Sequence, residues 1–219
     1  MRRGKEREMT ERPIIFSGEM VRAIMDRKKV QTRRPIKPQP NSPPEGWYPD
    51  AYNHSEWWTF WGPNGTKDSG RCTLPQFKCP FGKVGDRLWV RETWSIPHPF
   101  DPYKPSEIKP CPEKVSYHAD RKLGSGLIAR PSIHMPRWAS RILLEITDIR
   151  VERVQEINCA DAEAEGTKEI LTGDFTLYPQ EMPLIKHGFA HIWDSIYAKK
   201  GFGWESNPFV WVIDFRRIA

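Results

Sequence analysis

The segment "ASRILLEITDIRVERVQEI", residues 139–157, constrains the fold more than any other part of the sequence. Its apolar residues change parity: those up to Ile146 would lie on one face of a strand, and those from Ile149 onward would lie on the other. One regular strand cannot bury both sets, so we expect a bulge or bend near Thr147 and Asp148. A sharply bent strand is typical of a small β-barrel.

Shorter segments around this strand predict an α+β fold. "RPIIFS" predicts a strand that ends at Ser17, which would cap a helix from about Gly18 to Arg27. The other predicted elements are a strand in "VGDRLWVRETW", a short strand in "KVSYHAD", a short helix in "NCADAEAEG" between Asn158 and Gly166, a helix in "HGFAHIWDSIYAKKG" and a doubly buried strand in "NPFVWVIDFRRI". We therefore predict a small mixed or antiparallel β-barrel with flanking helices.

The domain organisation follows from the chain length and from two irregular segments. A chain of 219 residues suits one domain, which we place at residues 13–219 after a disordered basic tail at residues 1–12. Two long stretches, the first rich in Pro and Trp and the second rich in Pro, lack a lasting hydrophobic period and are predicted insertions, at about residues 35–83 and 96–113.

The net charge and the cysteine spacing limit the classes of protein to which this sequence can belong. The net charge of +6 and the pI near 9.2 favour polyanionic partners. No apolar run reaches the length of a membrane span, so we expect a cytoplasmic protein without a membrane partner, in the host cell if a phage encodes it. The four cysteines predict free thiols; Cys72 and Cys79 with Cys111 leave zinc as an alternative, but the spacing favours no metal and no cofactor.

A basic motif, "DRKKVQTRRPIKP", follows the first predicted helix and contains one threonine, Thr32. A threonine hydroxyl becomes a nucleophile when a base takes its proton, and Lys29 can be that base if burial and neighbouring cations lower its pKa. Thr32 lies three residues after Lys29, so the two side chains share a face if the helical turn continues. The alternatives are a solvated basic surface and a threonine that caps the helix end.

Several segments together resemble the ASCH domain family of PUA-like barrels, in particular its phage-associated members. They are "PIIFSGEMVRAIMDRKKVQTRR", "GDRLWVRETW", "PSIHMPRWASRILLEITDIRVERVQEI" with "DAEAEG", and "FVWVIDFRR". Lys29 and Arg34 match the family signature G-x-K-x-x-E-x-R, whereas Arg27 replaces its glycine and Thr32 its glutamate. The small bacterial members that hydrolyse N4-acetylcytidine look like this sequence at the threonine, and the resemblance maps their catalytic glutamate onto Glu165.

The resemblance implies a PUA-like fold and three catalytic candidates, Lys29, Thr32 and Glu165. In the alternative interpretation, Glu165 is a surface carboxylate of the acidic "DAEAEG" segment.

A second set of residues combines cations with aromatic rings. Arginine binds phosphate, tryptophan stacks on bases and a carboxylate accepts from an exocyclic amine, so this set predicts contacts with a nucleic acid or nucleobase. The alternative is that the tryptophans fill the core of an aliphatic-poor protein. The predicted binding residues are Arg33, Arg34, Arg91, Glu92, Trp94, His134, Arg137, Trp138 and Arg141.

Three functions remain open from the sequence. The first is recognition of RNA, single-stranded DNA or a modified nucleobase in a basic cleft, and the second is an amidohydrolase of N4-acylated cytidine or a related nucleoside. The third is a ribonuclease, or a phage accessory protein that binds partners through Trp57, Trp58 and Trp61. His187 and His191 have a metal-compatible spacing, but we interpret them as core or surface histidines.

Overall fold

A computed structural model describes residues 9–40, 46–49, 57–61, 76–100, 102–120, 127–170 and 182–219. The chain forms eleven strands and four α-helices in these ranges. They are β1 (Glu11–Ile15), α1 (Gly18–Met25), β2 (Gln31–Pro35), β3 (Gly46–Pro49), β4 (Trp57–Trp61), β5 (Gln76–Lys78), β6 (Arg87–Arg91), β7 (Trp94–Ile96), β8 (Ser116–Tyr117), β9 (Ile128–Arg130), β10 (Leu143–Arg153), α2 (Cys159–Ala164), α3 (Thr167–Ile170), α4 (Leu184–Tyr197) and β11 (Phe209–Arg217).

The main sheet has five strands in the order β1-β6-β10-β11-β2. β1 and β6 are parallel, and every other neighbouring pair is antiparallel, which makes the sheet mixed. The predicted α+β class is thus confirmed. Within the described ranges the sheet stays open, with β1 and β2 at its edges, so the predicted closed barrel is not observed there.

The predicted irregularity in the long strand is confirmed. The register between β10 and β11 shifts between Ile146 and Asp148, which adds one residue to β10 at that point. As a result, Ile146 before the shift and Ile149 after it both face the same core, despite their opposite parity.

The core lies on both faces of β11, as predicted for this strand. Trp211, Ile213 and Phe215 join the main cluster between the sheet and α1, whereas Val210 and Val212 face a second cluster that α4 covers. A third cluster forms beneath β7, around Trp94 and Ile96. The second cluster fixes α4 against the same strand that pairs with β2, and β2 carries the basic motif.

The helix boundaries agree with their sequence signals. The Ser17 hydroxyl accepts from the Met20 amide at 3.4 Å and caps α1, and the Asn158 side chain accepts from the Asp161 amide at 2.8 Å and caps α2. α1 ends at Met25, two residues before the predicted end. α4 begins at Leu184 and a 3-10 turn follows it up to Gly201, which has a φ of +79°.

Two sequence predictions about the irregular segments need correction. The tail is not disordered up to residue 12, because β1 begins at Glu11 and pairs with β6; residues 1–8 lie outside the described part. The first insertion contains β3, β4 and β5, which form a three-stranded sheet of their own.

Trp58 connects this small sheet to the core of the main sheet. Its ring meets the Trp211 ring edge-on at 5.9 Å, and only 7% of the residue is exposed. Trp58 is therefore a core residue rather than part of a protein-binding surface, while the side chains of Trp57 and Trp61 lie outside the described part. None of the described helices is long and apolar enough to cross a membrane.

Candidate functional site

The basic motif turns sharply after α1 and then becomes a strand. Arg27 has a φ of +59°, the left-handed conformation that favours glycine, and it occupies the glycine position of the resembled signature. The amides of Lys28 and Lys29 both donate to the Ala23 carbonyl, and β2 begins at Gln31. The helical continuation that would align Lys29 with Thr32 is thus wrong, and extended backbone separates the two residues.

Lys29 meets Glu165, which is 136 residues further along the chain. The Lys29 Nζ donates to the Glu165 Oε2 at 2.5 Å and to the Glu165 carbonyl oxygen at 2.9 Å. The two residues are 1% and 6% exposed. An isolated backbone bridge also pairs them, so the corner between α2 and α3 is attached to the start of β2.

Gly166 makes this close approach possible. It has a φ of +75°, and a Cβ at this position would lie 3.1 Å from the Cβ atoms of both Ala23 and Lys29. Any larger residue would therefore strain the backbone and push Glu165 away from Lys29. The sequence predicted Gly166 as a helix stop, but not as a spacer at the site.

Burial lowers the pKa of the Lys29 ammonium below its usual range, because desolvation penalises the charged form. The Glu165 carboxylate acts in the opposite direction, and the charges of Arg34 and Arg33 reinforce the lowering. Lys29 is thus closer to releasing a proton than an exposed lysine, as a general base requires.

Thr32 lies on β2 directly opposite Ile213 and is 3% exposed. With Glu165 and Thr167 it lines a pocket, which we call the threonine pocket, whose volume of about 30 Å³ suits one or two water molecules. α1 and α4 complete its walls. The other lining residues are Met20, Arg33, Arg34, Phe189, Ile192, Trp193, Ile196 and Tyr197.

The threonine pocket contains polar atoms without partners among the described residues. The Glu165 Oε1 and the Thr167 Oγ1 are both buried and make no hydrogen bond, and the Glu165 Oε1 lies 3.8 Å from the Arg33 Nη1. Because an unpaired buried polar atom costs free energy, such an atom often forms a hydrogen bond with a ligand or a water molecule. Thr167 was not predicted, since nothing in "EGTKE" distinguishes it from an ordinary helix residue.

Arg33, a predicted binding residue, lines the threonine pocket and also forms ion pairs within the protein. Its Nη2 lies 3.0 Å from the Glu152 Oε2 and 3.1 Å from the Asp161 Oδ2, and its Nη1 donates to the Gln31 side chain. No part of the side chain is exposed. These bonds attach α2 to the sheet and thereby position Glu165 at the end of α2.

The second predicted set of residues lies elsewhere, and none of its members from Arg91 to Arg141 lines the threonine pocket. Trp94 is fully buried and meets Trp138 edge-on at 6.2 Å, so it offers no face to a base. The three arginines among these members are paired within the protein. Arg141 binds Glu92 and Asp120, Arg137 binds Glu11, and Arg91 donates to the Ile133 carbonyl. His134 is exposed.

Burial also raises the pKa of Glu92 in this region, although the Arg141 guanidinium acts against that shift. The buried pair of Glu92 and Arg141 joins the end of β6 to the segment before β10. Most arginine and tryptophan side chains described in these segments thus pack or pair within the protein, whereas His134 lines a separate cavity of about 300 Å³ together with Arg130. The binding role of this set stays a prediction.

The cysteines and histidines do not converge on one point within the described ranges. Cys79 and Cys111 are buried and Cys159 is exposed, while Cys72 lies outside these ranges. No group of three or more His, Cys, Asp or Glu side chains there could hold a metal ion. His187 is a buried residue of α4, as one of the two interpretations expected.

Comparisons with family models, with curated protein sequences and with solved structures found no match to this chain. The likeness to the ASCH family stays a prediction.

Proposed function

We propose that this protein is a hydrolase of an acylated nucleobase, and that Lys29, Thr32 and Glu165 carry its chemistry. The observation that supports the proposal most is the 2.5 Å contact of Lys29 with Glu165, which lines the same pocket as Thr32. The pair is buried and desolvation lowers the pKa of Lys29, an environment that is common around catalytic lysines. We also propose a PUA-like, ASCH-type architecture for the curved sheet, with a nucleobase-bearing partner.

The proposed reaction begins with the neutral Lys29 amine. It accepts the Thr32 hydroxyl proton while the Thr32 oxygen attacks the acyl carbonyl carbon, and the lowered pKa of Lys29 favours this amine form. The C–N bond then breaks, and the leaving nucleobase amine takes the proton through Lys29 and Glu165. A water molecule, deprotonated by the same pair, attacks the acyl-threonine ester and releases the carboxylic acid.

Turnover of N4-acetylcytidine tests the proposal. We expect wild type to release acetate and cytidine, Thr32→Ser to retain part of the activity, and Thr32→Ala to lose at least about a hundredfold in kcat because it lacks the hydroxyl. Thermal melting of each variant is the control for folding. Absence of turnover by wild type on a panel of N4-acylated nucleosides and their phosphates would exclude the hydrolase.

A second candidate function is recognition of a modified nucleobase without hydrolysis. Two observations favour it: Lys29 is 1% exposed, and no hydrogen bond connects it to Thr32 within the described part. In that case the unpaired Glu165 Oε1 would accept from the amide N–H of the base. Tight binding of N4-acetylcytidine with no release of acetate would assign this function instead.

A further inference from the structure

A larger groove adjoins the threonine pocket. Arg34 and Tyr197 line both spaces, so they form the boundary between them. The groove has a volume of about 790 Å³, within the usual range for small-molecule sites, whereas the threonine pocket has about 30 Å³. We call it the outer groove; its described lining also includes Lys37, Phe77 and Phe81.

The walls of the outer groove are apolar and basic. The rings of Phe77 and Phe81 line the groove, and Arg34 and Lys37 contribute cations. The described lining contains no aspartate or glutamate. A groove with apolar walls and excess positive charge complements an anionic ligand that also carries a flat ring.

Arg34 differs from its neighbour Arg33 in its charge environment. The Arg34 guanidinium donates to the Tyr197 hydroxyl at 3.2 Å and to the Ile15 carbonyl at 2.6 Å, and it lies 5.2 Å from the Phe16 ring centre. These partners are all uncharged, and its buried Nε has no partner among the described residues. Arg33, by contrast, has three carboxylates within 4 Å.

Lys37 is the second such cation, with no carboxylate partner among the described residues. Its Nζ lies 5.1 Å from the centre of the Phe202 ring, a cation–π contact. Arg34 and Lys37 are three residues apart on β2 and the segment after it, and both line the outer groove. Cations of this kind are suited to contact a phosphate oxygen.

We propose that the outer groove binds the phosphate of a nucleotide, so that the substrate is an acylated nucleoside phosphate rather than the free nucleoside. The inference rests on the proposed function, because the threonine pocket supplies the position of the acyl group. The pocket admits the carbonyl end of the acyl group, the nucleobase lies in the groove beside Tyr197, and the phosphate reaches Arg34 and Lys37.

Calorimetric titration of the full-length protein with CMP, cytidine and inorganic phosphate tests the proposal. We expect CMP to bind at least about tenfold more tightly than cytidine, since one charge-assisted contact supplies that factor. Lys37→Gln should reduce this ratio several-fold, whereas Lys109→Gln, which removes the same charge from an exposed residue outside the groove, should not. Inorganic phosphate should compete with CMP, and higher salt should weaken CMP binding.

The outcomes separate this inference from the proposed function. Equal binding of CMP and cytidine, or equal effects of Lys37→Gln and Lys109→Gln, would overturn the phosphate site even if N4-acetylcytidine is turned over. Preferential binding of CMP without turnover of N4-acetyl-CMP would support the phosphate site and exclude the hydrolase. A dinucleotide that binds more tightly than CMP would support the site with a strand phosphate as its source.

Discussion

At the scale of single residues, the candidate site depends on Lys29 being buried with one carboxylate for its charge. The charged Lys29 ammonium would be costly to bury alone. The Glu165 carboxylate offsets part of that cost and so raises the pKa of Lys29. Desolvation outweighs this effect, so the pKa of Lys29 is lowered overall. Burial lowers the pKa of Lys29 and the Glu165 carboxylate raises it, so the two effects together determine how strong a base Lys29 is.

The pH profile of kcat/KM should report this balance. Activity requires the neutral amine, so it should rise with pH through the pKa of Lys29 and level off below the pKa of an exposed lysine. Glu165→Gln removes the carboxylate that raises this pKa, so the residual activity should rise at a lower pH than in wild type. A rising limb that stays in place in Glu165→Gln would contradict the assignment of Lys29 as the base.

At the scale of elements, the site arises where the end of α2 meets the start of β2. The contact requires the left-handed turn at Arg27, the strand that begins at Gln31 and the missing side chain at Gly166. Ion pairs of Arg33 with Glu152 and Asp161 then hold α2 against the sheet. The site therefore lies at the junction of α2 and β2 rather than within either element.

Gly166→Ala should destabilise the protein and damage the site. The left-handed backbone costs about 1–3 kcal/mol for a residue with a Cβ, and the new Cβ would also press on Lys29 at 3.1 Å. Gly201→Ala is the matched control, because Gly201 has a φ of +79° with nothing within 4 Å of its Cβ position. Urea unfolding should show a larger decrease in the free energy of unfolding for Gly166→Ala than for Gly201→Ala. Equal decreases would contradict the close approach at Gly166.

Much of this fold was predictable from periodicity and caps. Ser17 and Asn158 marked helix starts, the parity change at Thr147-Asp148 marked the bulge, and the alternation around Trp211 marked a strand buried on both faces. These signals are local, so a single sequence contains them.

The site was predicted in part, through the resemblance that joined Lys29, Thr32 and Glu165. The sequence could not reveal that Thr167 lines the same pocket or that Gly166 spaces it, because both facts depend on packing between distant segments. It could not reveal that Trp94 is buried and that Arg141 pairs with Glu92, since a cation beside an aromatic ring has the same pattern in a binding site and in a core.

At the scale of the whole molecule, the main sheet supports two additions, the small sheet of β3–β5 and the three-stranded sheet β8-β7-β9. Trp58 fixes the first to the core. The second depends on Glu92, which is 1% exposed and accepts from Arg141 at 2.9 and 3.1 Å. Arg141 also binds Asp120 and so joins three segments.

Arg141→Met should destabilise the fold most at neutral pH. It leaves Glu92 buried without its cation, a change that costs roughly 3–5 kcal/mol in comparable pairs. Since Arg141 lowers the pKa of Glu92, its loss raises that pKa further, and a raised carboxyl pKa favours folding at low pH. Denaturant unfolding should therefore show a penalty that shrinks on acidification; a penalty independent of pH would contradict the role of Glu92.

The most direct measurement of the central claim is mass spectrometry of the protein quenched during turnover of an N4-acetylated cytidine nucleotide or nucleoside. We expect the mass of the protein to increase transiently by one acetyl group. The added group should lie on the peptide that contains Thr32 and should be absent in Thr32→Ala. Acetate release with no adduct, and with full activity in Thr32→Ala, would contradict it.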